Sequence, residues 1–315
     1  MPQRFRGFRG CRGSGWGHHR TPWDATVERL ATSLRADDGP MLVASTEQLL
    51  NNGTDLAGAW VGFVHWCPHV PSYLDRIYPQ PPYDLAKILD ARTLPDALRH
   101  CEGLFCLSPS SRAFVHRTLR DRGLAEVPVH SVWMPTATDV PRFDEPSLSR
   151  TRDIVMLGHW LRRLSSLAEI ALPSGWNRIW LRGDQGFDPA ALIAAERNPG
   201  ALDDVHCPEY LDAARFDELM RSCIVFLDLW AASANNAVVE CVARGTPLIV
   251  NRVDGVVDYL GEDYPLYFDT LADVEHLAVN RPRQREAHRH LIRRAKQLDL
   301  SFGAFRSRVA TAMSR

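Results

Sequence analysis

The sequence predicts an α/β protein with two Rossmann-like domains, of which the N-terminal one is reduced. Three observations carry this. The 315 residues, 45% hydrophobic and 24% charged, hold material for two modest cores. From Arg152 onward, short apolar β-branched runs alternate with amphipathic stretches, the signature of a parallel sheet wrapped by helices. The first half repeats that rhythm over a shorter length, and turn-forming residues separate the two.

In the first half the candidate strands are Met41–Ala44, Val61–His65, Leu104–Leu107 and Val129–Trp133. The run from Trp133 to Arg152 is rich in Pro, Ser, Thr and Asp and lacks an apolar period. It reads as the connection, with domains at 1–148 and 149–281. In the later half, strands are expected at Asp153–Leu157, Arg178–Leu181, Val205–Cys207, Ile224–Leu229, Pro247–Val250 and Leu266–Phe268. The helix after the fourth of these begins near Asn235–Asn236, turns Val238, Val239 and Val242 inward and stops at Gly245, with Pro247 beyond. Residues 282–315 form a charged amphipathic helical tail, expected to pack back toward the N-terminal domain.

The formal net charge of −1 gives no global field that would draw the chain onto nucleic acid or an anionic membrane, so the expected partner is a small molecule. Lys87 and Lys296 are the only lysines. The seven cysteines are scattered without a Cys-x-x-Cys pair, which fits a reducing compartment and argues against a structural zinc site. No apolar run approaches the roughly 18 residues needed to span a bilayer, and the start lacks a signal-peptide h-region. The expected location is the cytoplasm.

The segment richest in chemistry runs from Asp228 to Pro247. Small residues from Ala231 to Ala234 let a ligand approach the backbone, and the free N–H groups of the helix start at Asn235 and Asn236 suit an anion such as diphosphate. Glu240, on the same helix, is placed to accept hydrogen bonds from ribose hydroxyls. The plain alternative is an ordinary βα loop and a solvent-facing glutamate. After the strand Asp153–Leu157 come Gly158, Arg162 and Arg163, a glycine turn followed by two guanidiniums that match phosphate as bidentate forks. The alternative is a basic, solvated helix start. Near the N-terminus, Gly10–His19 is glycine-rich and leads through Thr21 and Pro22 into a helix start, making Gly15, Gly17 and His18 candidates for contact with a phosphate or sugar; a basic tail is the rival.

The stretch Asp228–Pro247, with the following Leu248–Asp258, resembles the donor-binding signature of the retaining family 4 glycosyltransferases of the GT-B fold. Glu240 matches the second of that family's paired glutamates; Ala243, Gly245 and Pro247 match the block after it, and Gly255 and Asp258 its end. Ala232 stands where the first glutamate belongs. Trp60–Trp66 resembles the family strand that ends in a histidine reaching the donor sugar, which makes His65 the candidate, with His69 as competitor. Cys101–Ser108 and Val127–Pro135, with Asp139 and Phe143, resemble the family's next blocks, although Thr136-Ala137 replaces its Asn-Gly.

The resemblance implies two Rossmann-like domains facing a cleft and transfer of a sugar, with retained configuration, from a nucleotide-diphosphate sugar to an acceptor hydroxyl. His65, Arg162 and Arg163 would then be catalytic, and Gly158, Asn235, Asn236, Glu240, Gly15 and Gly17 would bind the donor. Neither a metal nor a cofactor beyond the donor is expected, and the acceptor is open. The rival readings are a catalytically idle nucleotide-sugar-binding subunit and a sugar-nucleotide epimerase of the same fold.

Overall fold

The computed structural model describes residues 7–14, 23–53, 56–77, 82–182, 204–208 and 211–314. The chain divides into two compact units, Met1–Pro135 with Ser301–Arg315, and Thr136–Leu300.

In the first unit, β1 (Gly10–Arg12), β2 (Met41–Val43), β3 (Trp60–Val64), β4 (Cys101–Cys106) and β5 (Val129–Ser131) form a parallel sheet in their order along the chain. β1 corrects the reading of its segment as loop or tail. It pairs with β2 from Gly10↔Met41 to Arg12↔Val43, yet Gly-Cys-Arg is too short to show a period. All of β3 is buried, as befits a parallel strand covered on both faces. Alternation along it divides the core. Trp60 and Val64 pack with Leu85, Ile88, Leu104 and Val115, whereas Phe63 meets the Trp23 ring at 5.0 Å and the Phe305 ring at 5.7 Å. Phe305 belongs to the last helix, Phe302–Met313, which thereby completes the core of this unit.

In the second unit, β6 (Asp153–Leu157), β7 (Asn177–Leu181), β8 (Val205–His206), β9 (Cys223–Leu227), β10 (Leu248–Asn251) and β11 (Tyr267–Phe268) form a parallel sheet in the order β11-β10-β9-β6-β7-β8. Their bounds lie within a few residues of those read from the sequence. The chain lays β7 and β8 outward from β6, then crosses to the other side of β6 to lay β9, β10 and β11. In an open parallel sheet such a reversal leaves a crevice beyond the carboxyl ends of the two strands concerned, here β6 and β9. The described strands of the first unit contain no reversal.

Two helices of this unit are set by side-chain caps at their starts. Helix Asn236–Arg244 starts at its N-cap Asn235, whose side chain accepts from the Ala237 N–H at 3.0 Å, and ends at Gly245 with φ 71°. Ala237 to Arg244 are all buried, with helix Arg281–Leu298 packed along them. The stretch expected to be an irregular connection contains helix Glu145–Thr151, capped by Asp144, whose carboxylate accepts from the Ser147 N–H at 3.1 Å. Only Leu148 supplies a large buried apolar side chain there, so the cap rather than any period sets the helix.

Candidate functional site

β6 runs into Gly158, whose φ of 74° is a conformation that a side chain would strain. Its N–H donates to the Leu181 carbonyl at 2.7 Å and its own carbonyl accepts from Trp180 Nε1 at 2.8 Å. The turn sends the following residues back toward β9, where Arg162 forms a bridge with Leu229. Arg162 is buried. Its Nη1 donates to the Trp160 carbonyl at 2.6 Å and its Nη2 to Asn235 Oδ1 at 3.3 Å. The same oxygen caps Ala237, so one carboxamide ties a guanidinium to the first turn of helix Asn236–Arg244. Helix-start N–H groups and a guanidinium both favour an anion, and the two meet at the strand-order reversal.

Arg163 points to different partners. Its N–H donates to the Asp228 carbonyl at 2.8 Å, its Nη1 to Asp228 Oδ1 at 2.5 Å, and its guanidinium stacks 3.8 Å from the centre of the Trp230 ring. Burial pushes the Asp228 carboxyl up, and the Arg163 charge beside it pulls it down. Trp230 N–H donates to the Leu161 carbonyl at 2.9 Å. Asn251, the last residue of β10, brackets Leu229: its Oδ1 accepts from the Leu229 N–H and its Nδ2 donates to the Leu229 carbonyl, both at 2.8 Å. A cavity of about 400 Å³ opens beside these groups, bounded by Arg163, Asp228, Asn251, Arg252, Phe268 and Asp269.

The loop between Trp230 and Asn235 is closed from behind by helix Asp254–Leu260. A Cβ on Gly255 would lie 2.2 Å from the Ala232 carbonyl oxygen and 2.4 Å from that of Ser233, so only glycine allows the helix to start there. Ser233 is 2% exposed, and among the described residues its hydroxyl has no hydrogen-bond partner.

Glu240 lies on the expected helix with its carboxylate already engaged. Arg244, one turn on, donates to it, and Thr136 Oγ1 donates at 3.4 Å. Arg244 is fully buried and also donates to Asp217 at 2.7 Å, so one guanidinium joins two carboxylates. Asn236 opens the helix next to its cap.

In the first unit, His65 follows β3. Its Nε2 lies 2.8 Å from the Ala44 carbonyl and its ring packs edge-on to Trp23 at 4.7 Å. The N–H groups of His65 and Trp66 both donate to Glu47 Oε1, at 2.5 and 2.6 Å, and Ser45 Oγ donates to Glu47 Oε2 at 3.0 Å. Glu47 is fully buried, and burial pushes its carboxyl up. Sequence reading missed it, because an acid after Ser45 in a helix's first turn looks like a solvent-facing partner of the helix dipole. His69 is exposed, and its N–H donates to Asp84 Oδ1 at 3.0 Å. Gly15, Gly17 and His18 lie outside the described residues.

No family model and no curated protein matches the sequence. Solved structures do match. The α,α-trehalose 6-phosphate synthase of Burkholderia multivorans superposes with a TM-score of 0.60 at 12% identity, over 94% of this chain and 77% of that one. Sucrose-phosphate synthase of Thermosynechococcus elongatus gives 0.62 at 12% identity, over 94% and 79%. TarM of S. aureus, solved with fondaparinux, α-GlcNAc-glycerol and UDP, gives 0.62 at 11% identity, over 93% and 59%. At such identities the likeness is one of fold alone, that of two Rossmann-like units of the GT-B type.

Proposed function

We propose that the protein transfers a sugar from a nucleoside-diphosphate sugar to an acceptor hydroxyl, with retention of configuration and without a metal. The observation that carries this is the Arg162–Asn235 contact at the strand-order reversal of the second unit. A diphosphate there meets a guanidinium and the N–H groups of a helix start, the charge stabilisation that a leaving nucleotide requires as its bond to the sugar breaks. Arg163, held by Asp228 and Trp230, shapes the loop. The solved structures of like fold include UDP-forming synthases, which puts UDP first among the nucleotides to try.

Ala232 offers no carboxylate, and Glu240 is shared with Arg244. These favour a second reading, a subunit that binds a nucleotide sugar without turning it over.

The test is thermal melting against UDP, GDP, ADP and their sugar conjugates, since a ligand at about 100 times its Kd adds about 2.7 kcal/mol to stability. A base-selective shift supports the donor site; well-folded protein that responds to none of them refutes it. Release of nucleoside diphosphate from the conjugate separates transferase from idle subunit.

A further inference from the structure

Trp230 is an exposed large hydrophobic side chain at 38%, and it is firmly held. Its N–H is bonded to Leu161, and its neighbour Leu229 is bracketed by Asn251. One face of the indole is covered by the Arg163 guanidinium at 3.8 Å. We propose that the other face of Trp230 is the platform on which the transferred sugar ring of the donor stacks, an assignment that rests on the donor reading above.

The chemistry of the loop points to a sugar ring. Between Trp230 and Asn235 the sequence is Ala-Ala-Ser-Ala, so no side chain in the segment carries charge, and recognition there falls to an aromatic face, one buried hydroxyl and the backbone. The C–H face of a pyranose is the natural partner of such a surface, as apolar and aromatic linings are in ligand pockets generally. The ion pair behind the ring matters too. Asp228 at 2.5 Å neutralises Arg163, so the guanidinium stiffens the indole without leaving a net charge against it. A ring fixed beforehand loses little freedom when ligand binds.

Position selects the sugar over the base. The segment that begins at Trp230 ends at Asn235, which bonds Arg162 at the proposed diphosphate site. In a nucleoside-diphosphate sugar the sugar is bonded directly to the diphosphate, whereas the base stands off by a ribose.

Calorimetric titration of wild type, W230A and W230F with UDP and UDP-glucose, and with the GDP-mannose and ADP-glucose pairs, tests the platform. The expected result is that W230A binds the nucleoside diphosphate as wild type does but binds its sugar conjugate about tenfold more weakly, and that W230F restores the conjugate. Equal weakening of both ligands, or of neither, overturns the platform: the ring would then prop the loop or stand idle. Wild type that binds no nucleotide overturns the donor reading and the platform with it, and does so before any substitution is made. W230L, which keeps bulk but lacks the aromatic face, makes the same comparison if W230A melts early.

Discussion

Arg162 and Asn235 meet at 3.3 Å, joining the loop after β6 to the helix that follows β9 across the point where the strand order reverses. Arg163, its neighbour in sequence, is instead paired with Asp228 at 2.5 Å. The two arginines should therefore fail differently. R162A is expected to cost about 2 kcal/mol of nucleoside-diphosphate affinity, roughly thirtyfold, with a small change in melting temperature. R163A is expected to cost about 2 kcal/mol of folding stability by leaving the nearly buried Asp228 uncompensated, and R163M/D228N should cost less than R163A alone. Calorimetry and urea unfolding on the same preparations separate the two.

Arg244 is buried between Glu240 and Asp217. Removing a buried charge whose partners stay behind is expensive, so R244M should lose about 3–5 kcal/mol in urea unfolding. E240Q should lose about 1–3 kcal/mol, because it weakens one bond of the same group. If E240Q kept full stability but no longer distinguished ribo- from 2′-deoxyribonucleoside diphosphates, Glu240 would belong to the ribose instead.

Glu47 sets a pH dependence. Its folded pKa is raised by burial, so between the ordinary carboxylate value and the raised one the folded chain holds a proton that the unfolded chain has released. Its contribution to stability is therefore greatest below about pH 4.3 and falls as pH rises through that window. E47Q keeps the shape of the side chain and cannot titrate. The difference in urea midpoint, wild type minus E47Q, is expected to decline with rising pH; a flat difference would mean that Glu47 ionises as freely in the folded chain as in the unfolded one.

Gly255 supplies a fourth test. Its missing Cβ makes room for the carbonyl oxygens of Ala232 and Ser233. G255A must push that loop aside, at a cost of about 1–3 kcal/mol typical of overpacking. Nucleoside-diphosphate affinity should fall with it, because the loop leads straight to Asn235. Unchanged affinity would show that the loop's position does not matter to the ligand.

Much of the second unit was legible from local signals. β6, β9 and β10 announce themselves as β-branched runs, and helix Asn236–Arg244 is bounded by a capping Asn235 and a stopping Gly245. β1 was not legible, since three residues cannot display a period, and its existence depends on the edge of β2. The helix at Glu145–Thr151 was missed because its cap outweighs its sparse apolar content.

The site divides along the same line. The sequence by itself determined which loops carry small residues, guanidiniums and a helix start, because those signals lie within one element's own spacing. Only the tertiary structure decided the strand order that places the loops after β6 and β9 side by side, and with it the choice of Arg162 over Arg163 for the helix start. The partners lie 73 residues apart for Arg162 and Asn235 and 65 apart for Arg163 and Asp228. No local period encodes a contact at that distance. It is set by the crossovers that bring parallel strands together, and by the burial that holds each guanidinium against the partners within reach.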